Sequence, residues 1–256
     1  YGLTDGMYGI HMGVTADNIA KKYSISREDQ DAFAYASQQK AIAAIDSGRF
    51  QDEIVPVEVP GRKGSVTVFD TDEHPNRAST PEKLAKLRPA FTKDGTVTAG
   101  NASGINDGAS FTIIASEDAV KKHNLTPLAE VIGIGQGGVD PRVMGLGPTP
   151  AILHALKYAD LCIEDMELVE LNEAFAAQSL GVIHELEEAT GMDRNAFMEK
   201  TNVNGGAIAL GHPVGASGNR ILVSLLHEMQ KRDLKIGLAS LCIGGGQGAA
   251  VIIKRV

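Results

Sequence analysis

A chain of 256 residues, 43% hydrophobic and 22% charged, carries enough apolar material for one large or two modest globular domains. A formal net charge of −8 and a pI near 5.4 argue against broad, phosphate-driven nucleic-acid binding, but not against a nucleotide-bearing ligand held by a few local bases or helix N-termini. Two cysteines without regular spacing exclude a disulfide framework and a cysteine-rich metal site, and no apolar run nears the roughly 20 residues of a membrane span.

In chain order, residues 16–47 read as a pair of helices. Ser26 is a good N-cap with Asp29 in the first turn, Phe33, Ala36, Ala41 and Ile45 form an apolar stripe, and Gly48 punctuates the end. Residues 54–59 and 65–69 alternate as strands, and 70–96, with Pro75, Pro81 and Pro89, reads as surface loop. Residues 98–108 form a Gly/Ala/Ser/Asn loop leading into a short helix, and 110–115 is an apolar strand.

From Leu128 strands alternate with helices: strand 129–134, helix Pro148–Ala159, strand Leu168–Leu171, helix 174–188, a short polar stretch Arg194–Glu199, and a long amphipathic helix Ser217–Arg232. Strands 235–241 and 249–254 flank a glycine turn and should be antiparallel neighbours. The pattern predicts a mixed α/β layer with helices on both faces.

Two stretches carry the clearest chemistry. One is Asn204-Gly-Gly-Ala-Ile-Ala-Leu-Gly-His-Pro-Val-Gly-Ala-Ser-Gly218, the other Cys242-Ile-Gly-Gly-Gly-Gln-Gly248. Each sets one titratable side chain, His212 or Cys242, among glycines that let the backbone approach a ligand. That arrangement suits acid–base chemistry beside an oxyanion site. His212 precedes Pro213, which biases it to extended backbone, and sits shortly before a helix whose N-terminus favours the neutral ring. On residues alone His212 is equally a structural turn histidine, and a cysteine such as Cys242 is usually an inert core residue. Asn172 follows a strand and reads as the N-cap of the next helix.

With these two stretches, four more resemble the thiolases, most closely their short-chain acetyl-CoA acetyltransferases: Tyr8-Gly-Ile-His-Met-Gly13, Thr98-Ala-Gly-Asn-Ala-Ser-Gly-Ile-Asn-Asp-Gly108, Val139-Asp-Pro-Arg-Val-Met-Gly145 and Asn172-Glu-Ala-Phe-Ala176. The resemblance runs from Tyr1 to Val256 with the motifs in family order. It implies a layered α-β-α-β-α architecture of mixed sheets with helices on both faces, plus a lid-like loop domain. Residues 1–97 would be the loop or lid domain for coenzyme A binding, 98–125 the end of the N-terminal half, and 126–256 the C-terminal half.

By the same resemblance His212 activates a nucleophilic cysteine and lines the first oxyanion hole, where Asn172 holds a water. Cys242 moves the α-proton of acetyl-CoA, and the Gly244 N–H helps form a second oxyanion hole. Leu3, His11, Met12, Ala99, Ser103, Met144 and Phe175 match positions around coenzyme A and the acyl pocket, and Arg77 falls near its adenosine end. His11-Met12 favours short-chain members, whereas Gln247 stands where many biosynthetic members carry Met.

The resemblance also puts the acyl-accepting cysteine in an N-terminal part absent from this sequence, since Cys242 matches the acid–base cysteine and Cys162 matches no motif. It implies interconversion of two acetyl-CoA with acetoacetyl-CoA and CoA, with coenzyme A thioesters as substrates and no separate cofactor. The partners expected are that N-terminal part and a homodimer or homotetramer, with no nucleic acid and no membrane, and the location expected is cytoplasmic. A non-catalytic coenzyme A-binding fragment and a 3-ketoacyl-CoA thiolase of broader chain length are the alternatives.

Overall fold

The computed structural model describes residues 2–256; Tyr1, where the resemblance begins, lies outside them. Helices α1 (Met12–Lys22) and α2 (Arg27–Asp46) form the expected pair, and the Ser26 hydroxyl caps α2 by accepting the Asp29 N–H at 3.0 Å. Strands β1 (Val57–Pro60) and β2 (Val66–Phe69) make an antiparallel hairpin exposed along its whole length. The loop that follows contains only the short helix α3 (Pro81–Ala85).

The stretch 110–115 is not a strand, and no helix follows the 98–108 loop until α4 (Glu117–His123). Strand geometry needs a neighbouring edge to satisfy its N–H and C=O groups, and none of the described residues supplies one. Phe111, Ile113 and Ile114 consequently stay about nine-tenths exposed, at 89%, 93% and 88%.

The C-terminal half is built on one four-stranded sheet in the order β3-β6-β5-β4 (β3 Ala129–Gly138, β4 Leu168–Leu171, β5 Ile236–Ile243, β6 Gln247–Arg255). β3 and β5 run antiparallel to β6, joined in the second case by the expected glycine turn, and β4 runs parallel to β5. Period-two alternation sends successive side chains to opposite faces. Val169, Leu171, Leu238, Ala250 and Ile252 join α5 (Pro148–Ala159) and α6 (Ala176–Thr190) in the main core. Leu168, Ala239 and Ile253 meet Ile221, Leu225 and Met229 of α9 (Ser217–Arg232) on the other face. Helices therefore cover both faces, as the alternating pattern predicts. A Cβ on Gly135 or Gly137 would overlap the α5 backbone at Ala151, so bare β3 backbone lets that helix lie directly on the strand.

The remaining differences from expectation have local causes. Arg194–Glu199 is helix α7, capped by Asp193 accepting the Ala196 N–H at 2.9 Å and anchored by buried Phe197. α6 starts at Ala176 rather than 174, so Asn172 is not its cap. The Ser103 N–H donates to the Ala174 carbonyl at 3.0 Å, and Ala102 bridges Phe175 antiparallel, which holds 174–175 extended. The one-turn helix α8 (Ala207–Leu210) leads into His212. Among the described residues no helix is long and apolar enough to cross a membrane.

Candidate active site

The carboxyl ends of the parallel pair β4 and β5 set the floor of the site. Leu171 pairs with Ser240, and the Asn172 N–H donates to the Ser240 carbonyl at 2.9 Å. Asn172 thus leaves β4 beside the point where β5 carries Cys242 toward its turn. Open α/β sheets bind ligands at such carboxyl edges.

The Asn172 side chain is 1% exposed, and neither its Oδ1 nor its Nδ2 finds a partner among the described residues. Buried side-chain amides normally hydrogen-bond, and an exception demands an explanation. Freed from helix capping, this amide is available to a water or a substrate oxygen.

Cys242 pairs with Gly248 across the β5–β6 hairpin and packs, half-buried, against the apolar cluster that contains Met12, Ala102, Met144 and Phe175. That surround pushes its thiol up to about 12, because a thiolate there would lose its hydration. The thiol keeps its proton at neutral pH. Gly244 opens the turn, exposed, with no heavy atom within 4 Å of where a Cβ would stand.

His212 is fixed by two hydrogen bonds, one from its backbone and one at its ring. Its backbone N–H donates to Asn106 Oδ1 at 3.1 Å, and its Nδ1 lies 2.6 Å from Ser217 Oγ. The Ser217 hydroxyl already donates to the Pro213 carbonyl at 3.0 Å, so it accepts from His212. That assignment puts the imidazole proton on Nδ1 and leaves Nε2 with a free lone pair. Burial, then the nearby Arg220 charge, lowers the His212 pKa and keeps the ring neutral. The helix N-terminus thus contributes through the Ser217 hydroxyl in its first turn.

The loop 98–108 ties these parts together, bridging Phe175 through Ala102 and His212 through Ile105. Ser103 is held on Ala174, and Ala99 lies exposed on the same loop. From the opposite side the Met12 N–H bonds the Leu3 carbonyl at 2.9 Å, and His11 caps α1 by accepting the Gly13 N–H on Nδ1 at 3.0 Å. Met12, Met144 and Phe175 share one buried cluster that Cys242 touches.

Arg77, expected near the adenosine end of coenzyme A, lies apart from this cluster. Its guanidinium forks onto Asp46 at 2.6 and 3.0 Å, in a separate surface depression with Ile45, Asp72 and His74.

Sequence reasoning missed several supports. Phe91 stacks on His11 at 4.8 Å and meets Phe175 edge-on at 6.0 Å, yet it lies in the stretch read as plain surface loop. Asn106 belongs to the 98–108 motif without any sign that it holds His212. Ser217 is signalled only by its spacing, five residues after the histidine. Glu173 reads as an acid suited to a helix start, and nothing in the sequence marks it as a buried hub.

Against known proteins, the family model described as "Thiolase, N-terminal domain" matches residues 1–118, and "Thiolase, C-terminal domain" matches residues 125–255. The chain belongs to the thiolase family. It is 59% identical over 255 residues to the acetyl-CoA acetyltransferase of Thiocystis violacea, covering all of this chain and 63% of that thiolase. The crystal structure of the Bacillus anthracis acetyl-CoA acetyltransferase superposes with a TM-score of 0.92 at 49% identity, over 99% of this chain and 62% of that one. The human mitochondrial 3-ketoacyl-CoA thiolase in complex with CoA gives 0.87 at 50% identity, over 99% and 61%. The chain therefore spans less than two thirds of the length of the thiolases it matches.

Proposed function

We propose that the full-length enzyme is an acetyl-CoA C-acetyltransferase, interconverting two acetyl-CoA with acetoacetyl-CoA and CoA by a ping-pong Claisen condensation. The observation that carries this reading is the Asn172 side chain, buried without a partner among the described residues at the strand edge beside Cys242. The name and the 59% identity of the Thiocystis relative support the acetyl-CoA assignment.

In the acylation half-reaction His212 Nε2 takes the proton of the nucleophilic thiol, which the family resemblance assigns to the N-terminal part. The thiolate attacks the acetyl thioester, and CoA leaves as its thiolate, which then takes the Cys242 proton and leaves Cys242 as the thiolate. The new Nε2–H and a water on the Asn172 amide stabilise the oxyanion. In the carbon–carbon half-reaction Cys242 as thiolate removes the α-proton of the second acetyl-CoA. The enolate attacks the acetyl-enzyme, and the enzyme thiolate departs and takes its proton back from His212 Nε2. The reverse direction uses the protonated thiol favoured by burial, which donates to the leaving acetyl-CoA enolate. Met12, Phe175, Met144 and the 98–108 loop line the channel for the acyl group and pantetheine. The reading includes a homodimer or homotetramer, supported by the exposed Val57, Val59, Val66 and Val68 of the β1–β2 hairpin.

The second reading, a 3-ketoacyl-CoA thiolase of broader chain length, rests on the near-equal identity to the human enzyme, 50% against 49%. CoA-dependent cleavage of acetoacetyl-CoA and of a long-chain 3-ketoacyl-CoA by the full-length enzyme separates them. Cleavage of the long substrate alone would sink the short-chain claim, and CoA binding without any cleavage would leave a non-catalytic binding protein.

A further inference from the structure

The carboxylate next to Asn172 is unused by the mechanism above and is the best-connected buried acid beside the site. Glu173 is 2% exposed. One oxygen accepts from the Asn202 amide at 2.8 Å, and the other from the Ser37 hydroxyl at 2.6 Å and, more weakly, from the Ile208 N–H at 3.4 Å. A Cβ on Gly206 would overlap its carboxyl group, so the carboxylate lies flat on bare backbone.

Each partner belongs to a different structural member. Ser37 is on α2 and also accepts the Gly206 N–H at 3.0 Å. Asn202 clasps both backbone groups of Leu171, the last residue of β4, at 2.8 Å each. Ile208 lies in α8, whose end runs through Gly211 into His212. Two consecutive residues thus divide the work: Asn172 keeps a free amide, and Glu173 grips the segment that carries the histidine.

We propose that Glu173 is the positioning residue that fixes Asn172 and His212 relative to each other, by clamping the end of β4 to the 202–212 segment and α2. The proposal rests on the acyltransferase reading for the meaning of that geometry. Its consequence is specific. Loosening the clamp moves two oxyanion-stabilising groups apart, and none of the hydrogen bonds lost is made by the 98–108 loop or α1. A misplacement of about 1 Å in such a pair lowers turnover on the order of 10²-fold. Substrate binding, which depends on the 98–108 loop and α1, should persist.

The test uses the full-length enzyme and compares Glu173→Gln and the milder Ser37→Ala with Leu186→Ala. The last makes a cavity in the main core and removes none of these hydrogen bonds. Glu173→Gln should lower kcat for acetoacetyl-CoA thiolysis on the order of 10²-fold while KM stays within about 2-fold. Ser37→Ala should show a smaller loss of the same kind, and it keeps the test available if Glu173→Gln does not fold. Leu186→Ala should lose melting temperature with little change in kcat. A Glu173→Gln enzyme with wild-type kcat, or a Leu186→Ala enzyme that loses as much, would overturn the proposal. Crystal structures of the two network variants give a readout independent of activity. Displacement of residues 206–212 relative to β4 supports the clamp, and an unmoved segment refutes it. A wild-type enzyme inactive on every 3-ketoacyl-CoA would instead fail the functional reading, leaving the clamp to be judged by those structures.

Discussion

Replacing Gly211 by Ala tests whether backbone geometry, rather than side-chain chemistry alone, aims His212. Gly211 has φ +92° and ψ 168°, a region that is essentially glycine's own. Forcing an alanine there costs about 1–3 kcal/mol. Its Cβ would also overlap the Asn106 side chain, whose Oδ1 holds the His212 N–H. Losing that hydrogen bond adds about 0.5–1.5 kcal/mol, so the total is about 1.5–4.5 kcal/mol. The neighbouring Gly215 is the control, having open space around it and no positive φ. At roughly 2–4 °C per kcal/mol for a domain of this size, Gly211→Ala should lower the melting temperature of the full-length enzyme by several degrees. It should also cut kcat for acetoacetyl-CoA thiolysis on the order of 10²-fold through displacement of the imidazole. Gly215→Ala should do neither. Differential scanning calorimetry and steady-state thiolysis on the same preparations give both numbers. If the two variants behaved alike, the idea that Gly211 sets the aim of His212 would be wrong.

Other consequences can be measured on the same enzyme. With base and oxyanion donor on one ring, as proposed, His212→Asn should slow both half-reactions by about 10²–10³; Cys242→Ser should spare acetyl-enzyme formation and suppress condensation, and equal loss of both would refute a dedicated acid–base role. Asn172→Leu should leave thermal stability unchanged or higher, since the amide has no partner to lose, yet slow acylation on the order of 10²-fold; a large drop in melting temperature would mean that the amide is structural. The acid limb of the acylation rate should fall below pH about 6.5, the ordinary histidine value, because burial and Arg220 lower the His212 pKa and the reactive neutral ring survives further into acid. A limb above that value in a pH–rate profile would contradict the assignment.

The elements best read from the sequence carry their own boundary signals. α5 and α9 match their expected spans. α5 opens on Pro148, and each helix ends at a residue in left-handed conformation, Asp160 or Asp233. The 110–115 stretch has the apolar run of a strand, but a strand also requires a neighbour, and local sequence does not encode one. Asn172 has the composition of an N-cap. It is drawn out of that role by the 98–108 loop, through the bonds that hold residues 174–175 extended.

The site divides in the same way. His212 and Cys242 stand out because glycines crowd around them. Phe91, Asn106 and Glu173 act through contacts such as Asn106 to His212, 106 residues apart, or Ser37 to Glu173, 136 apart. Only folding brings those residues together.

The bare backbone of β3 beneath α5 has a mechanical consequence for Cys242. With a Cβ at Gly135 or Gly137 overlapping α5, and a Cβ at Gly147 overlapping the β6 backbone at Gln247, there is no cushion of flexible side chains to absorb a shift. Displacement of α5 is handed straight to β3 and to the first residues of β6. Through the Cys242–Gly248 pairing it reaches the thiol. The Cys242 sulfur is therefore seated by a stack of backbone on backbone, in which one added methyl anywhere along the stack is a shim beneath it.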